Sequence, residues 1–456
     1  MPSRIATARH LRSLLLPTGT LVTLLLLSAG VALSGERVDD PPAQSASDDV
    51  ITFTRDIAPI LQENCQLCHQ PGSIGPMSLM TFEEVAPWAP LIKQEVLAQR
   101  MPPYHYDVNV GIQELKDDMR LTQTEIRTIV AWVDAGAPMG DLADMPPPVQ
   151  WPDASAFRYA SMFGPPDLIV RSDPYTVPAD GQDLWWRPLV PAGLEVDRYI
   201  RAIETKPSVA GRAVAHHANS SFRVPNQDGR LVAGPRLSEY ALGKVGEIVP
   251  EGAGRVLPAN SMVAWDIHYY PMGEVVEDDV VEIGIWLYPE DYVPEFRQTL
   301  ALYGLNGDIL LPPHGTAMTQ GFHSFDHPVR IDSFQPHGHL RLVAKSLEVF
   351  YPETGRREMV SMISNWNPGW HLSHIYEDHV APLVPAGAVL VITAWYDNSE
   401  NNPYNPDPEV WVGRGSRTGD EMSHAWIAIT HLDQEGYERL LAERQAQRRV
   451  AEEEDR

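Results

Sequence analysis

Only two cysteines occur in this chain of 456 residues, and they lie three apart with a histidine directly after the second: Cys65-Gln66-Leu67-Cys68-His69. A bridge across so short a loop cannot staple a large fold, so the chain is no disulfide scaffold. The C-x-x-C-H spacing is that of c-type haem attachment, in which both thiols add to the haem vinyls and the adjacent histidine ligates iron from one face. Two other uses of paired thiols compete. Zinc needs two further Cys or His ligands, and a redox dithiol calls for a βαβ setting. A helical, exported segment fits neither.

The haem iron needs a sixth ligand, for which Met77, Met80, Met101, His105 and Met119 are candidates downstream. Met101 is preferred and His105 is its main rival. Met101 lies in "QRMPPYH", between a helix end and two prolines, 32 residues past His69. The segment resembles small cytochrome c domains whose distal methionine sits in a Met-Pro-Pro turn. A His/Met pair raises the potential and suits electron transfer.

Around this motif the chain divides into seven stretches. Arg4, Arg9 and Arg12 precede an apolar run that ends in small residues, so 1–35 reads as a secretory signal. An uncleaved anchor through residues 14–33 is the alternative. Either way the protein is expected to be periplasmic or otherwise extracytoplasmic. Residues 36–50 are an acidic linker. Residues 51–140 carry helix punctuation: Thr81 with Glu84 and Thr122 with Glu125 are capping boxes, and Gly136 and Pro138 mark a helix end. They form the small all-α domain that bears the haem motif. Residues 141–165 are a proline-rich, semi-rigid linker. From 166 onward, runs such as "VVEIGIWLYP" and "AVLVITAWYDN" have strand composition and length. That region is long enough for two sandwiches, 166–300 and 301–435. Residues 436–456 form a charged tail, helical or disordered. The formal charge of −26 argues against nucleic acid, whose phosphates need clustered Lys and Arg.

The β region concentrates histidines in patterns. His216 and His217 are adjacent, His268 lies in "DIHYYP", His337 and His339 form H-x-H, and Met422 follows in "GDEMSH". In a strand, His337 and His339 point to one face, so two imidazoles can meet one metal. Adjacent His216 and His217 can share a metal only at a strand end or a bulge. Three imidazoles suit copper or zinc, and two imidazoles with a thioether suit copper. His314, His323, His327, His371 and His374 are left unassigned.

The order HH, a lone His before "YY", a proline-preceded "HGH" and a late "DEM" resembles the copper type II, ascorbate-dependent monooxygenases. That family includes peptidylglycine α-hydroxylating and dopamine β-monooxygenases. The resemblance covers residues 166–432, and "LPPHG", "WNPGW" and "VPAGAVLVITAWYDNSENNPYNP" liken it to the bacterial, cytochrome-fused branch. It implies a small all-α cytochrome c domain followed by two all-β jelly-roll-like sandwich domains, each sandwich holding one copper. His216, His217 and His268 would hold the electron-transferring copper. His337, His339 and Met422 would hold the catalytic, oxygen-binding copper, across a solvent-filled cleft. With Cys65, Cys68, His69 and Met101 on a covalent haem c, the cofactors are two copper ions and one haem. The family inserts one atom of O2 into a C–H bond.

The sequence departs from the family in several places. No cysteine remains for the disulfides of the animal relatives, so the sandwiches rely on core packing. The family's substrate-binding arginine, asparagine and tyrosine positions are Gln335, His424 and Trp426 here. A neutral amide cannot form the bidentate carboxylate pair, which disfavours a glycine-extended peptide as substrate. Trp426 points weakly to an aromatic or apolar one. His424 could donate to a substrate oxygen or merely support the site. The expected partners are a small-molecule substrate, O2, and an electron-donating cytochrome, quinol pathway or small reductant. An electron-transfer or copper-handling protein without oxygenase activity is the competing expectation, and a zinc hydrolase is a third.

Overall fold

The computed structural model describes residues 50–454, apart from 105, 117, 152, 154, 245 and 305–308. The expected signal or anchor (1–35), nearly all of the acidic linker (36–50) and the candidate ligand His105 lie outside the described residues. Among the described residues, no helix is long and apolar enough to cross a membrane. The chain is mainly a β-sandwich protein with several sheets and a few helices.

The helices form where the sequence punctuation places them. Helix α1 (Ala58–Asn64), helix α2 (Ala89–Leu97) and helix α3 (Gln123–Asp134) pack around Phe53, Leu61, Val96, Ile129 and the fully buried Trp132. Both capping boxes close. The Glu84 and Glu125 N–H groups donate to the Thr81 and Thr122 hydroxyls at 3.3 and 3.2 Å. Each glutamate carboxylate in turn accepts from the threonine N–H, so that two otherwise orphaned donors are satisfied at each helix start. Helix α3 stops before Gly136, whose φ of +87° ends the turn.

The described residues of 104–116 do not remain with these helices. Tyr106 enters the core of the second sandwich, and the Asp107 and Ile112 N–H groups donate to Met362 and Val360 carbonyls at 2.9 Å. Strand β1 (Leu115–Lys116) then pairs with Ile375 and Tyr376. Gly111 passes so close that a Cβ there would lie 2.2 Å from the Val360 oxygen. Part of the stretch 51–140 is therefore a strap bound to the second sandwich by backbone hydrogen bonds.

The first sandwich comprises β2 (Leu168–Arg171), β3 (Leu184–Trp186), β4 (Arg198–Lys206), β5 (Ala215–Pro225), β6 (Leu231–Ala241), β7 (Ala253–Leu257), β8 (Met262–Tyr269) and β9 (Glu282–Leu287). The second comprises β10 (Phe296–Tyr303), β11 (Thr316–Ser324), β12 (Val329–His337), β13 (Leu342–Tyr351), β14 (Arg356–Ile363), β15 (His374–Tyr376), β16 (Val389–Asp397) and β17 (His424–His431). One sheet, ordered β1-β15-β12-β17-β10-β7-β4-β9-β2, supplies a layer to both sandwiches. The outer layers are β3-β8-β5-β6 and β11-β16-β13-β14. The division expected at 300/301 falls inside β10. That strand pairs with β17 from Arg297 to Tyr303 and belongs to the second sandwich. The expected linker 141–165 is anchored at its end, where Phe157 and Tyr159 pack on Ala202 and Trp286. The tail forms helix α4 (Gln434–Glu454).

Alternation fixes the faces of the strands that matter for the site. Along β8, Val263, Trp265 and Ile267 enter the first core, so Ala264, Asp266 and His268 face away from it. Along β5, Ala218 and Phe222 face inward, which leaves His217, Asn219, Ser221 and Arg223 on the opposite face.

Candidate metal centre

His217 and His268 stand directly opposite each other on β5 and β8. The next pair is Tyr269 with Ala215, so His216 is the extra residue of a β-bulge. The bulge removes the geometric obstacle to adjacent histidines sharing a metal. Among the described residues, His216, His217 and His268 bring one ring nitrogen each to within 4.8 Å of one another. The His216 and His217 Nδ1 atoms are 3.1 Å apart. The His268 ring lies flat against Trp185 at 4.6 Å, with its Nε2 3.5 Å from Asp183 Oδ1. Burial pushes the His216 pKa down to about 4 and that of His217 well below the usual histidine value, and the neighbouring imidazoles add to it. Neutral imidazoles with free lone pairs are the form a metal binds.

The second group gathers around His337. This residue ends β12, so His339 lies beyond the strand, and alternation within a strand does not set the H-x-H pair as expected. Their ring centroids are 5.5 Å apart. Glu421, fully buried, fixes the backbone here instead. Its Oε2 accepts from the N–H of His339 at 3.0 Å and of Met422 at 3.3 Å, and its Oε1 from that of Arg341 at 2.6 Å. The Asp420 carbonyl lies 3.0 Å from His339 Nδ1. Met422 is thereby held beside His339 through its own backbone. Below the pair, the buried Lys345 donates to the His337 and His424 carbonyls at 2.6 Å each. His424 stacks on His337 at 4.3 Å. Burial lowers the pKa of His337, His339 and His424 alike.

The structure does not leave an open cleft between the two groups. The His217 and His337 ring centroids are 6.3 Å apart. His371, unassigned from the sequence, lies between the groups: its Nδ1 is 3.2 Å from His337 Nδ1, and its ring is 6.1 Å from that of His216. The His371 N–H donates to the Leu242 carbonyl at 3.0 Å, which ties this loop to the first sandwich. A cavity of about 230 Å³ reaches His216 and His371 past Tyr270, Met272 and Pro368.

Gln335 is 1% exposed and donates to the buried carboxyl of Glu239, while Trp426 lies beneath the Arg236 guanidinium at 5.2 Å. Of the remaining histidines, His374 packs edge-on against Tyr106 at 3.9 Å, His327 lies 2.8 Å from His431, and His314 meets Glu400 and Glu409 at the surface.

At the cysteine motif, burial pushes the Cys65 thiol up to about 12 and raises Cys68 as well. Thiols held neutral are poor redox nucleophiles. Among the described residues, no third His, Cys, Asp or Glu joins them at metal-ligand spacing. His69 Nδ1 lies 3.1 Å from the Met77 carbonyl, which leaves Nε2 for a metal, and a Cβ at Gly75 would strike the ring at 2.6 Å. Two cavities of about 120 and 390 Å³ share Leu67, Cys68, Met119 and Arg158 as walls. Lys206, Arg212 and Lys244 line the smaller one together with Asp153 and Glu204, with Lys206 paired to Glu282 at 2.7 Å and Lys244 to Glu247 at 3.0 Å. The two neutral thiols and the preset imidazole are the groups that covalent haem attachment uses. Met119 borders these cavities and Met101 does not, although Pro103 does.

No known protein family matches the chain, and no curated protein is recognisably related to it. Among solved structures it is similar to the major capsid protein P2 of bacteriophage PM2, with TM-score 0.26, 8% identity, and coverage of 59% of this chain and 100% of that one. It is also similar to PNGF-II, with TM-score 0.24, 9% identity, and coverage of 58% and 65%. Recombinant peptide:N-glycanase F gives TM-score 0.23, 10% identity, and coverage of 59% and 97%. Likenesses this distant carry no argument about activity.

Proposed function

We propose that the chain is a copper-dependent monooxygenase that hydroxylates a C–H bond of a small organic substrate with O2. In this reading residues 166–435 form two jelly-roll-like copper domains, and a cytochrome c domain within 51–140 feeds them electrons. The observation that carries the reading is the bulge that turns His216, His217 and His268 onto one point, facing a second histidine group. Copper at these positions would supply one-electron chemistry and O2 activation, and haem on Cys65, Cys68 and His69 would supply single electrons.

The chain's own residues prepare that chemistry. His216, His217 and His268 are the ligands of the first copper, and His337, His339 and Met422 of the second. Both imidazole sets are held neutral by burial. Glu421 and Lys345 fix the backbone on either side of the second site. Trp370 borders the cavity at Cys68, and the next residue, His371, touches both histidine groups. The chain thus links the haem region to the copper region through adjacent residues. A thioether for the haem iron would come from one side of the strap, with Met101 the choice from the sequence and Met119 the one that borders the cavities.

Metal analysis of the full-length protein tests this reading. Two coppers and one haem iron per chain are expected, with O2 consumption matched by hydroxylated product. Zinc in place of copper, or O2 uptake without product, would overturn it. The tight packing around His337 favours one rival, an electron-transfer or copper-handling protein. Met422→Ala separates the two: it ends turnover in an oxygenase but leaves haem-to-copper transfer to the first site intact in both.

A further inference from the structure

His268 carries two buried ring nitrogens, and neither has a hydrogen-bond partner among the described residues. Its side chain is 1% exposed, so water does not reach it either. A metal can take up one of these nitrogens, and the other still needs a partner. A neutral imidazole offers one lone pair and one N–H, and whatever accepts from the N–H decides which nitrogen keeps the lone pair.

Strand register brings a partner to that ring. On one side of β8, His268 pairs with His217 of β5, so the other histidines of the group lie there. On the other side it pairs with Trp185 of β3, whose ring lies within 3° of the imidazole plane and fixes that plane. Asp183 precedes Trp185 by two residues, and its Oδ1 comes to 3.5 Å from His268 Nε2.

The Asp183 side chain is 13% exposed, and His268 is its only ion-pair partner among the described residues. The acid two residues before His268, Asp266, is instead paired with Arg187 at 2.7 Å. Asp183 does not join the three histidines at metal-ligand spacing, so its carboxylate stands behind the ring rather than beside a metal. Its other oxygen is held from the second sandwich, where Oδ2 accepts from the Thr418 N–H at 3.4 Å. Thr418 lies in a turn closed by the Asp420 N–H, which donates to the Arg417 carbonyl at 2.9 Å. Packing of one sandwich on the other therefore keeps the carboxylate against the imidazole.

We infer that Asp183 is a positioning residue for the first copper: it accepts a hydrogen bond from the Nε2–H of His268 and so leaves the Nδ1 lone pair to the metal. The inference rests on the copper reading of His216, His217 and His268 and deepens it. Nδ1 is also the atom through which His216 and His217 approach each other, at 3.1 Å. A charge-assisted bond to a carboxylate makes an imidazole a stronger donor, which tightens metal binding and favours Cu(II) over Cu(I).

The test uses the full-length, haem-bearing protein carrying His339→Ala, which confines copper to the first site, at one per chain by metal analysis. Pulsed EPR of the Cu(II) form reads the remote nitrogen of each bound imidazole, whose quadrupole coupling follows the hydrogen bond it makes. In Asp183→Ala that coupling should change for one histidine of the three. Affinity for Cu(II), measured by chelator competition, should fall about 10- to 100-fold, and the copper potential should rise. Asp183→Asn keeps the size and an acceptor but not the charge. It should move all three readouts the same way by less, and it serves if the alanine variant does not fold. A merely structural carboxylate would change stability and leave the remote-nitrogen signal, affinity and potential as they were; that result overturns the inference alone. Complete loss of copper from a folded Asp183→Asn protein would make the carboxylate a ligand and overturns it as well. Absence of copper from the three histidines when Asp183 is intact overturns the copper reading together with it.

Discussion

Replacing Glu421 by glutamine isolates the contribution of the second site. The carboxylate is fully buried and accepts from three backbone N–H groups, those of His339, Arg341 and Met422. Two of these residues are proposed copper ligands. Glutamine has nearly the same shape, but one of its two positions is an NH2. In either orientation that NH2 faces a backbone donor. If it faces Arg341, one N–H loses its acceptor at 2.6 Å; if it faces His339 and Met422, two do. Each buried donor left unsatisfied costs about 1–3 kcal/mol, so the variant should lose about 2–4 kcal/mol of stability. The loss falls on the loop that carries Met422. Copper content should therefore drop from two to one per chain, and the remaining copper should be the one at His216, His217 and His268. Metal analysis, copper EPR and urea denaturation followed by tryptophan fluorescence read these effects together. A variant that keeps both coppers and its denaturation midpoint would refute the view that Glu421 holds the site together.

Four further outcomes are expected. His268→Ala should remove the other copper and leave the His337 site loaded, as metal analysis and EPR would show. Burial raises the Glu239 pKa from 4.5 to about 7, so its contribution to stability is complete below pH ~4.5 and is lost as pH rises through about 7. Glu239→Gln should flatten that limb of a stability-versus-pH curve by something on the order of 3 kcal/mol. Trp370→Leu should slow haem-to-copper electron transfer measured by flash reduction, with the haem spectrum and copper content unchanged; an unaltered rate would exclude this path. Of Met101→Leu and Met119→Leu, one and only one should abolish the iron–thioether absorption band and lower the haem potential; retention of the band in both would exclude these two residues and move the thioether to Met77 or Met80, and absence of the band from the unaltered protein would rule out methionine ligation.

The features legible in the sequence are those set by neighbours a few residues apart. Thr81 and Thr122 cap their helices because the threonine hydroxyl and the glutamate three residues on satisfy each other locally. His216 and His217 came with a condition, a strand end or a bulge, and the bulge opposite His268 meets it. Where the outcome depends on distant register, sequence reading stops. Nothing near His371 marks it. It reaches the site because its loop is tied to Leu242 on the other sandwich. The strap at 104–116 alternates apolar residues at Tyr104, Tyr106, Val108, Val110 and Ile112, but nothing local in the sequence tells that Tyr106 joins the core of the second sandwich, where Val360 and Met362 offer backbone partners. His337 and His339 read as a strand pair, but the strand ends at the first of them and Glu421 orients the second. Glu421 did leave a signal, an acidic residue directly before a candidate ligand in "DEM".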